Sequence, residues 1–494
     1  MLAIACQFIF AAANYSASAF VGLSDGAARL IENFGDRRLC ETYVPNIRSG
    51  RWQGTMALTE PEAGSSLADI TTRAVVTDHG YYHLSGQKIF ISAGDHDGVE
   101  NVVHLMLARI KGAPAGVKGI SLFVVPKNRL PDDVALVPND VITSGVYHKL
   151  GYRGCPIVQL SIGDKGDCRG WLLGQPHRGL GCMFQMMNEA RVGVGLGAAS
   201  MATAAYYAAL DYAQTRRQGR IPSRKKAAQS PVKIIEHADV KRMLLFQRSV
   251  IEGSLSLLMQ CGWYMDQQKI ADDELKEKYS LLLDLLTPVA KSYPSETGIH
   301  AISQGLQCYG GSGYCLDYPL EQYYRDARIH PIHEGTTAIH GIDLLGRKVT
   351  AQNGRAFELF CKELEKTASK AVDIHGLRKH ARSLQIAVEK LQTVTTHLVS
   401  LSRTETPECF LADATLYLEM FGLVTISWQW LLQGISARQA LDACKKPGAV
   451  FYKGKLFTLR YFFGYELPKI DGLMNRLLDD DRLTVEMDAG FFND

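Results

Sequence analysis

Neither sign of charge dominates this chain. It carries 54 Lys and Arg against 51 Asp and Glu, a net charge of +3, so nothing in its electrostatics favours nucleic acid or an acidic partner. C-x-x-C pairs are also missing. The 11 cysteines are scattered and odd in number, which disfavours a disulfide framework or a zinc site and fits reduced thiols in the cytoplasm. No metal site is expected. The first twenty residues, MLAIACQFIFAAANYSASAF, are small and apolar like a secretory signal. They lack its basic start, because the first Lys or Arg is Arg29, and a buried helix is the expectation. No other stretch reads as long and apolar enough to span a membrane.

What is present is an ordinary globular composition, 46% hydrophobic and 21% charged over 494 residues, enough for about three domains of ~150 residues. Residues 1–48 read as a helix, a turn over Gly22 to Gly26, and a second helix from about Ala27 to Tyr43. From Trp52 to about Gly170 short alternating runs (TTRAVVTD, YYHLSGQKIFIS, VVHLMLARI, GISLFVVPK) predict an antiparallel β domain. Helical periodicity takes over from Leu180. Residues 239–304 read as two amphipathic helices around a charged turn from Ala271 to Lys278, and 355–494 as further helices with large apolar faces. Gly193, Gly195 and Gly197 mimic a dinucleotide fingerprint, but no strand precedes them and the spacing is wrong; close helix packing is their expected role. The fold class is therefore α+β. A partial N-terminal helical segment (1–51) precedes a β domain (52–172), a helical bundle (173–350) and an additional helical C-terminal domain (351–494).

Chemistry concentrates in Gln307–Lys348. Gly310, Gly311 and Gly313 let backbone approach a flat ligand, having no Cβ. Glu334 precedes Gly335 and the pair Thr336 and Thr337, between two helical patterns. A carboxylate held at a loop end against an apolar slot is how a general base is built; a helix-capping glutamate is the equal alternative on these residues alone. MALTEPEAGSSL (56–67) is either a ligand loop or a plain Pro-Gly turn. In GQKIFISAGDHD (86–97) Phe90 and Ser92 lie on a strand, where an aromatic is more often core. Asn188 and Arg191 share a helical face from which Glu189 is turned by ~100°; Arg191 could equally be an exposed ion-pair residue. SRKKAAQSPVK (223–233) is a basic loop, either a solvated face or a contact for phosphates.

Taken together, these motifs resemble the acyl-CoA dehydrogenase flavoprotein family. Its C-terminal hallmark has the form Q-x-x-G-G-x-G-[YF], then R-D-A-[RK]-I, then [YH]-E-G-T, and the T-E-P loop and the K-I-F-I-S strand match in order. The resemblance implies FAD as cofactor and an acyl-CoA substrate, with Glu334 as catalytic base. It implies flavin contacts from Thr59, Gly64, Ser65, Phe90, Ser92 and Thr336, and from Arg216, Gln307, Gly310 and Gly311 toward a neighbouring subunit. Substrate contacts are implied for Ser65, Asn188, Arg191 and Gly335. Some branches place the base immediately before the arginine of N-E-A-R; that position is Ala190 here, which favours Glu334 over Glu189. Departures are Ser66 for the usual aspartate, Ala238 for the usual glutamine, and a Y-A-x-x-R motif at Tyr212–Arg216 that lacks its following phenylalanine. The family has more than a hundred residues before T-E-P, so this chain is expected to begin inside that helical domain, with weak FAD binding and poor turnover as the consequence. The tail and the stretches NEAR and TPVAKSYPSE resemble the branch that includes 3-methylmercaptopropionyl-CoA dehydrogenases. The implied activity is α,β-dehydrogenation to a trans-2-enoyl-CoA, on 3-methylthiopropanoyl-CoA or a fatty acyl-CoA. An electron-transfer flavoprotein would accept the electrons, and the assembly would be a homodimer or dimer of dimers. An acyl-CoA oxidase, and a non-catalytic flavin- or nucleotide-binding paralogue, are the alternatives.

Overall fold

A computed structural model describes residues 1–131, 135–224, 230–443 and 448–493. The chain divides into two compact units, residues 14–193 and residues 1–13 with 194–494. Three helices open it: α1 (Leu2–Ala13), α2 (Tyr15–Phe34) and α3 (Arg37–Arg48). Asn14 and Asp36 cap α2 and α3, their side chains accepting from Ala17 N at 3.0 Å and Leu39 N at 2.8 Å. The turn expected at Gly22 to Gly26 is not there; both glycines lie inside α2. Gly26 serves packing, since an added Cβ would overlap the Met186 methyl.

Among the described residues the 14–193 unit is built on ten strands: β1 (Trp52–Ala57), β2 (Arg73–Val76), β3 (Tyr82–Ser92), β4 (Asn101–Ile110), β5 (Ile120–Pro126), β6 (Asn128–Arg129), β7 (Val137–Pro138), β8 (Val141–Val146), β9 (Ile157–Ile162) and β10 (Arg169–Leu173). Because β2 pairs with both β3 and β4, the strands β2, β4, β5, β10 and β3 close into a ring. The expected purely antiparallel domain is corrected: β4 pairs in parallel with β1, Trp52 opposite Asn101, and with β2. Alternation fixes which face a side chain takes, not the direction of the neighbouring strand. A parallel pair needs only a long connection, which β2 and β3 supply between β1 and β4. Along β4 and β5, Leu105, Leu107, Leu122 and Val124 pack with Leu30 and Ile31 of α2, while Met106, Ala108, Phe123 and Val125 pack with Leu84 and Leu160. Strand β3 is irregular between Lys88 and Ile91, and this bulge carries Phe90 at φ 57°.

The other unit is helical: α4 (Gly179–Thr215, within which the division falls), α5 (Ala238–Ile270), α6 (Asp273–Tyr309), α7 (Leu320–Ala327), α8 (Thr337–Asp343), α9 (Ala351–Val372), α10 (Arg378–Thr404), α11 (Pro407–Leu411), α12 (Ala414–Ala443), α13 (Ala449–Tyr461), α14 (Ile470–Leu477) and α15 (Leu483–Glu486). The α5–α6 connection is tighter than the charged stretch suggests. Asp272 caps α6 by accepting from Leu275 N at 3.0 Å, and Asp273 and Glu274 sit in its first turn, where the helix dipole favours them. Gly195 has the expected packing role, since a Cβ there would overlap the Ala290 carbonyl of α6.

Two expectations change here. Only Ala11 of α1 is buried, while Leu2, Ile9 and Phe10 are exposed, so this is not a buried helix. Its contact is narrow: Ile4 fills the space where Gly262 of α5 lacks a Cβ. The segment Pro407–Ala443 is also long and apolar enough to cross a membrane by length and composition, contrary to the reading that no such stretch follows the start. Its apolar window is 61% buried, and Trp428 and Trp430 donate through Nε1 to Thr367 Oγ1 and Ser249 O, both at 2.9 Å.

Candidate functional site

In the 14–193 unit the T-E-P loop is pinned to β3 from below. Lys88 and Glu60 are buried, 0% and 3% exposed, with Nζ 2.8 Å from Oε1. Lys88 Nζ also donates to Leu58 O at 2.9 Å. Glu60 accepts from Thr71 N and Oγ1 on one oxygen, and from Thr72 N and Oγ1 on the other. Burial opposes the Glu60 carboxylate, but Lys88 and the threonines outweigh it and bring the group down to about 2. Burial also lowers the Lys88 ammonium to about 8, against the pull of Glu60. The Ile89 N–H then donates to Thr59 O at 3.0 Å, fastening the loop beside the bulge.

Above this foundation the predicted residues are open. Gly64 and Ser65 are exposed and Thr59 and Ser92 half-buried. Phe90 is 57% exposed and lies against Tyr147 with ring centroids 4.7 Å apart. It is therefore not core, the usual fate of a strand aromatic. Arg191 is 4% exposed, which removes the exposed ion-pair reading; its Nη1 lies 3.5 Å from Asn188 Oδ1. Glu189 faces elsewhere, pairing with Arg29 at 3.0 Å on the surface.

In the helical unit the glycine cluster splits in two. Added Cβ atoms at Gly310 and Gly311 meet nothing within 4 Å, whereas one at Gly313 would strike Leu306 O at 2.7 Å. So Gly310, at φ 60°, and Gly311 present open backbone, while Gly313 packs. Gln307 is exposed at the end of α6. Tyr212, one turn before exposed Arg216, stacks on Tyr309 with centroids 4.1 Å apart, so the ends of α4 and α6 are brought together. Part of the basic loop, residues 225–229, lies outside the described residues.

Glu334 sits half-buried in the loop between α7 and α8. It and Gly335 have φ of 55° and 91°, a region costly for a residue with a Cβ. Both carbonyls of this dipeptide are taken. His340 Nε2 lies 3.1 Å from Glu334 O, and Lys291 Nζ donates to Gly335 O at 2.8 Å. Thr336 precedes α8 and its carbonyl accepts from His340 N at 3.2 Å. Burial first, and Lys291 second, lower His333 to about 3; burial, His333 and Lys291 hold His330 well below its ordinary value. Sequence reasoning missed Lys88, Glu60, Lys291 and His340 as supports. A cavity of about 890 Å³ between α5, α6, α9, α12 and α13, lined by Trp263, Tyr279, Trp428 and Phe451, includes none of residues 307–337. Among the described residues no group of His, Cys, Asp and Glu is placed to hold a metal ion.

Residues 55–164 match the description "Acyl-CoA dehydrogenase, middle domain", residues 177–349 "Acyl-CoA dehydrogenase, C-terminal domain", and residues 360–488 "Acetyl-CoA dehydrogenase C-terminal like". The chain is 35% identical over 469 residues to 3-methylmercaptopropionyl-CoA dehydrogenase of Ruegeria pomeroyi, covering 94% of this chain and 78% of that protein. It is 32% identical over 480 residues to a butyryl-CoA dehydrogenase of Syntrophomonas wolfei, covering 94% and 77%. Among solved structures, ACDH-11 of Caenorhabditis elegans in complex with C11-CoA shares the fold at TM-score 0.77 and 21% identity, covering 97% of this chain and 78% of that one. An acyl-CoA dehydrogenase of Bacillus anthracis complexed with FAD does so at 0.73 and 19%, covering 94% and 76%. This chain belongs to the acyl-CoA dehydrogenase family.

Proposed function

We propose that the chain catalyses FAD-dependent α,β-dehydrogenation of an acyl-CoA thioester, with Glu334 as base. The observation that carries this is the Glu334–Gly335 dipeptide, held in left-handed conformation by hydrogen bonds at both carbonyls in a half-buried loop. The residues present suit a flavin: open backbone at Gly310 and Gly311 and an exposed aromatic at Phe90. Thr59, Gly64, Ser65, Phe90, Ser92 and Thr336 are the proposed flavin contacts, and Arg216, Gln307, Gly310 and Gly311 those offered to a neighbouring subunit. Asn188, Arg191, Ser65 and Gly335 are proposed to hold the acyl-CoA.

In the reaction Glu334 takes the α-proton, the β C–H bond breaks with its electron pair, and the α,β double bond forms. The backbone N–H of Glu334 polarises the thioester oxygen as negative charge develops there. When bound, FAD supplies the hydride acceptor and the route of the electron pair to an electron-transfer flavoprotein. The relatives' names point to short acyl groups, 3-methylmercaptopropionyl and butyryl, and such an acyl-CoA is the proposed substrate. The ten described cysteines are all free thiols, in keeping with a cytoplasmic setting. The test is the visible spectrum of the purified full chain together with dye-coupled oxidation of butyryl-CoA and 3-methylthiopropanoyl-CoA. A flavin spectrum with dye reduction by either supports the proposal; protein that carries flavin but reduces no dye with any acyl-CoA contradicts it.

A further inference from the structure

We propose that Lys291 is the positioning residue of the base, fixing Glu334 through the carbonyl of Gly335; this rests on Glu334 being the base. Lys291 lies on α6 between Pro288 and Pro294 and is 0% exposed. Its ammonium crosses to the loop and donates to Gly335 O at 2.8 Å. On the other side of the dipeptide, buried His340 contacts Glu334 O. A carbonyl oxygen only accepts, so that ring carries its proton on Nε2. A Cβ on Gly335 would lie 3.0 Å from the same nitrogen, so the His340 ring packs closely against the glycine. The lysine holds the second carbonyl of the dipeptide.

The choice of a cation is informative. A left-handed Glu is strained, which any good hydrogen bond could offset. Burying an ammonium is dearer than burying a neutral donor, yet its hydrogen bond is about twice as strong. His330 and His333 nearby are held neutral by burial, so they add no second cation beside Lys291. The lysine thus gives the loop a rigid, charged anchor one residue from the carboxylate that must meet the α-carbon.

The readout isolates the base from the redox step. 3,3-Dimethylbutanoyl-CoA has α-hydrogens but none on its β-carbon, so in D2O it reports only proton exchange at the α-carbon. The full chain with flavin, Lys291→Met, Lys291→Gln and Glu334→Gln are compared. The expected result is exchange slowed about 10²-fold in Lys291→Met, the size of a roughly 1 Å misplacement. Partial recovery is expected in Lys291→Gln, which keeps a neutral donor, with flavin absorbance and affinity for the analogue unchanged in both. Exchange within threefold of the parent in both lysine variants overturns the proposal. So does a loss no larger than the fraction of flavin lost, which marks a merely structural role. If Glu334→Gln exchanges as fast as the parent, it is the assignment of the base that fails, and the lysine proposal falls with it.

Discussion

At the scale of single residues, the strongest supports are charges that a surface reading would have put in water. Lys88 stands between Gln87 and Ile89, and nothing local marks it as buried; its carboxylate lies 28 residues back. Removing one partner of such a pair leaves the other unpaired in the interior, a loss of about 3–5 kcal/mol. Lys88→Met should therefore lower the melting temperature and loosen the T-E-P loop, seen as weaker FAD retention. Acid gives a second test. The Glu60 carboxyl is shifted from its ordinary 4.5 down to about 2, so its stabilisation is whole above the ordinary value and is lost as pH falls from about 4.5 to about 2. In urea titrations the stability gap between parent and Glu60→Gln should shrink as pH falls through that acid window. A gap that does not narrow there contradicts the pairing. Glu334, Phe90 and Arg191 were legible because short motifs carry them. Lys88 and Lys291 were not, because their partners are 28 and 44 residues away and only the fold joins them.

Elements were read well where periodicity is long and poorly where it is interrupted. The α5–α6 pair and the tail helices follow from helical spacing. The glycines of α2 looked like a turn because glycine permits one, although close packing selects it equally. The same ambiguity arises at Gly195. Replacing glycine by alanine inside a helix gains about 1 kcal/mol of propensity, but here the new methyl meets the Ala290 carbonyl of α6, and backbone cannot step aside cheaply. Overpacking costs about 1–3 kcal/mol or more, so the balance is unfavourable. Gly195→Ala should melt several degrees below the parent in calorimetry, and a variant as stable as the parent would show that α4 and α6 are not so closely packed. Strand direction in the β unit was beyond the reach of alternation, which is the same for parallel and antiparallel neighbours.

For the molecule as a whole, the proposal that Gly310 and Gly311 serve a flavin across a subunit boundary makes assembly testable. Beyond the open Gly310 and Gly311, Tyr314 and Leu316 are 92% and 84% exposed, an apolar surface next to backbone that is proposed to serve a neighbouring flavin. A homodimer or dimer of dimers is the expected species in sedimentation equilibrium, and a flavin-loaded monomer would contradict it. The central claim is chemical, however, and its most direct measurement is anaerobic. Butyryl-CoA or 3-methylthiopropanoyl-CoA is mixed with the flavin-loaded protein and with Glu334→Gln, and loss of the flavin absorbance is followed in time. The parent should bleach with one of them, and Glu334→Gln, with equal flavin bound, should bleach at least ~10²-fold more slowly. Bleaching of Glu334→Gln within a few-fold of the parent would contradict the account.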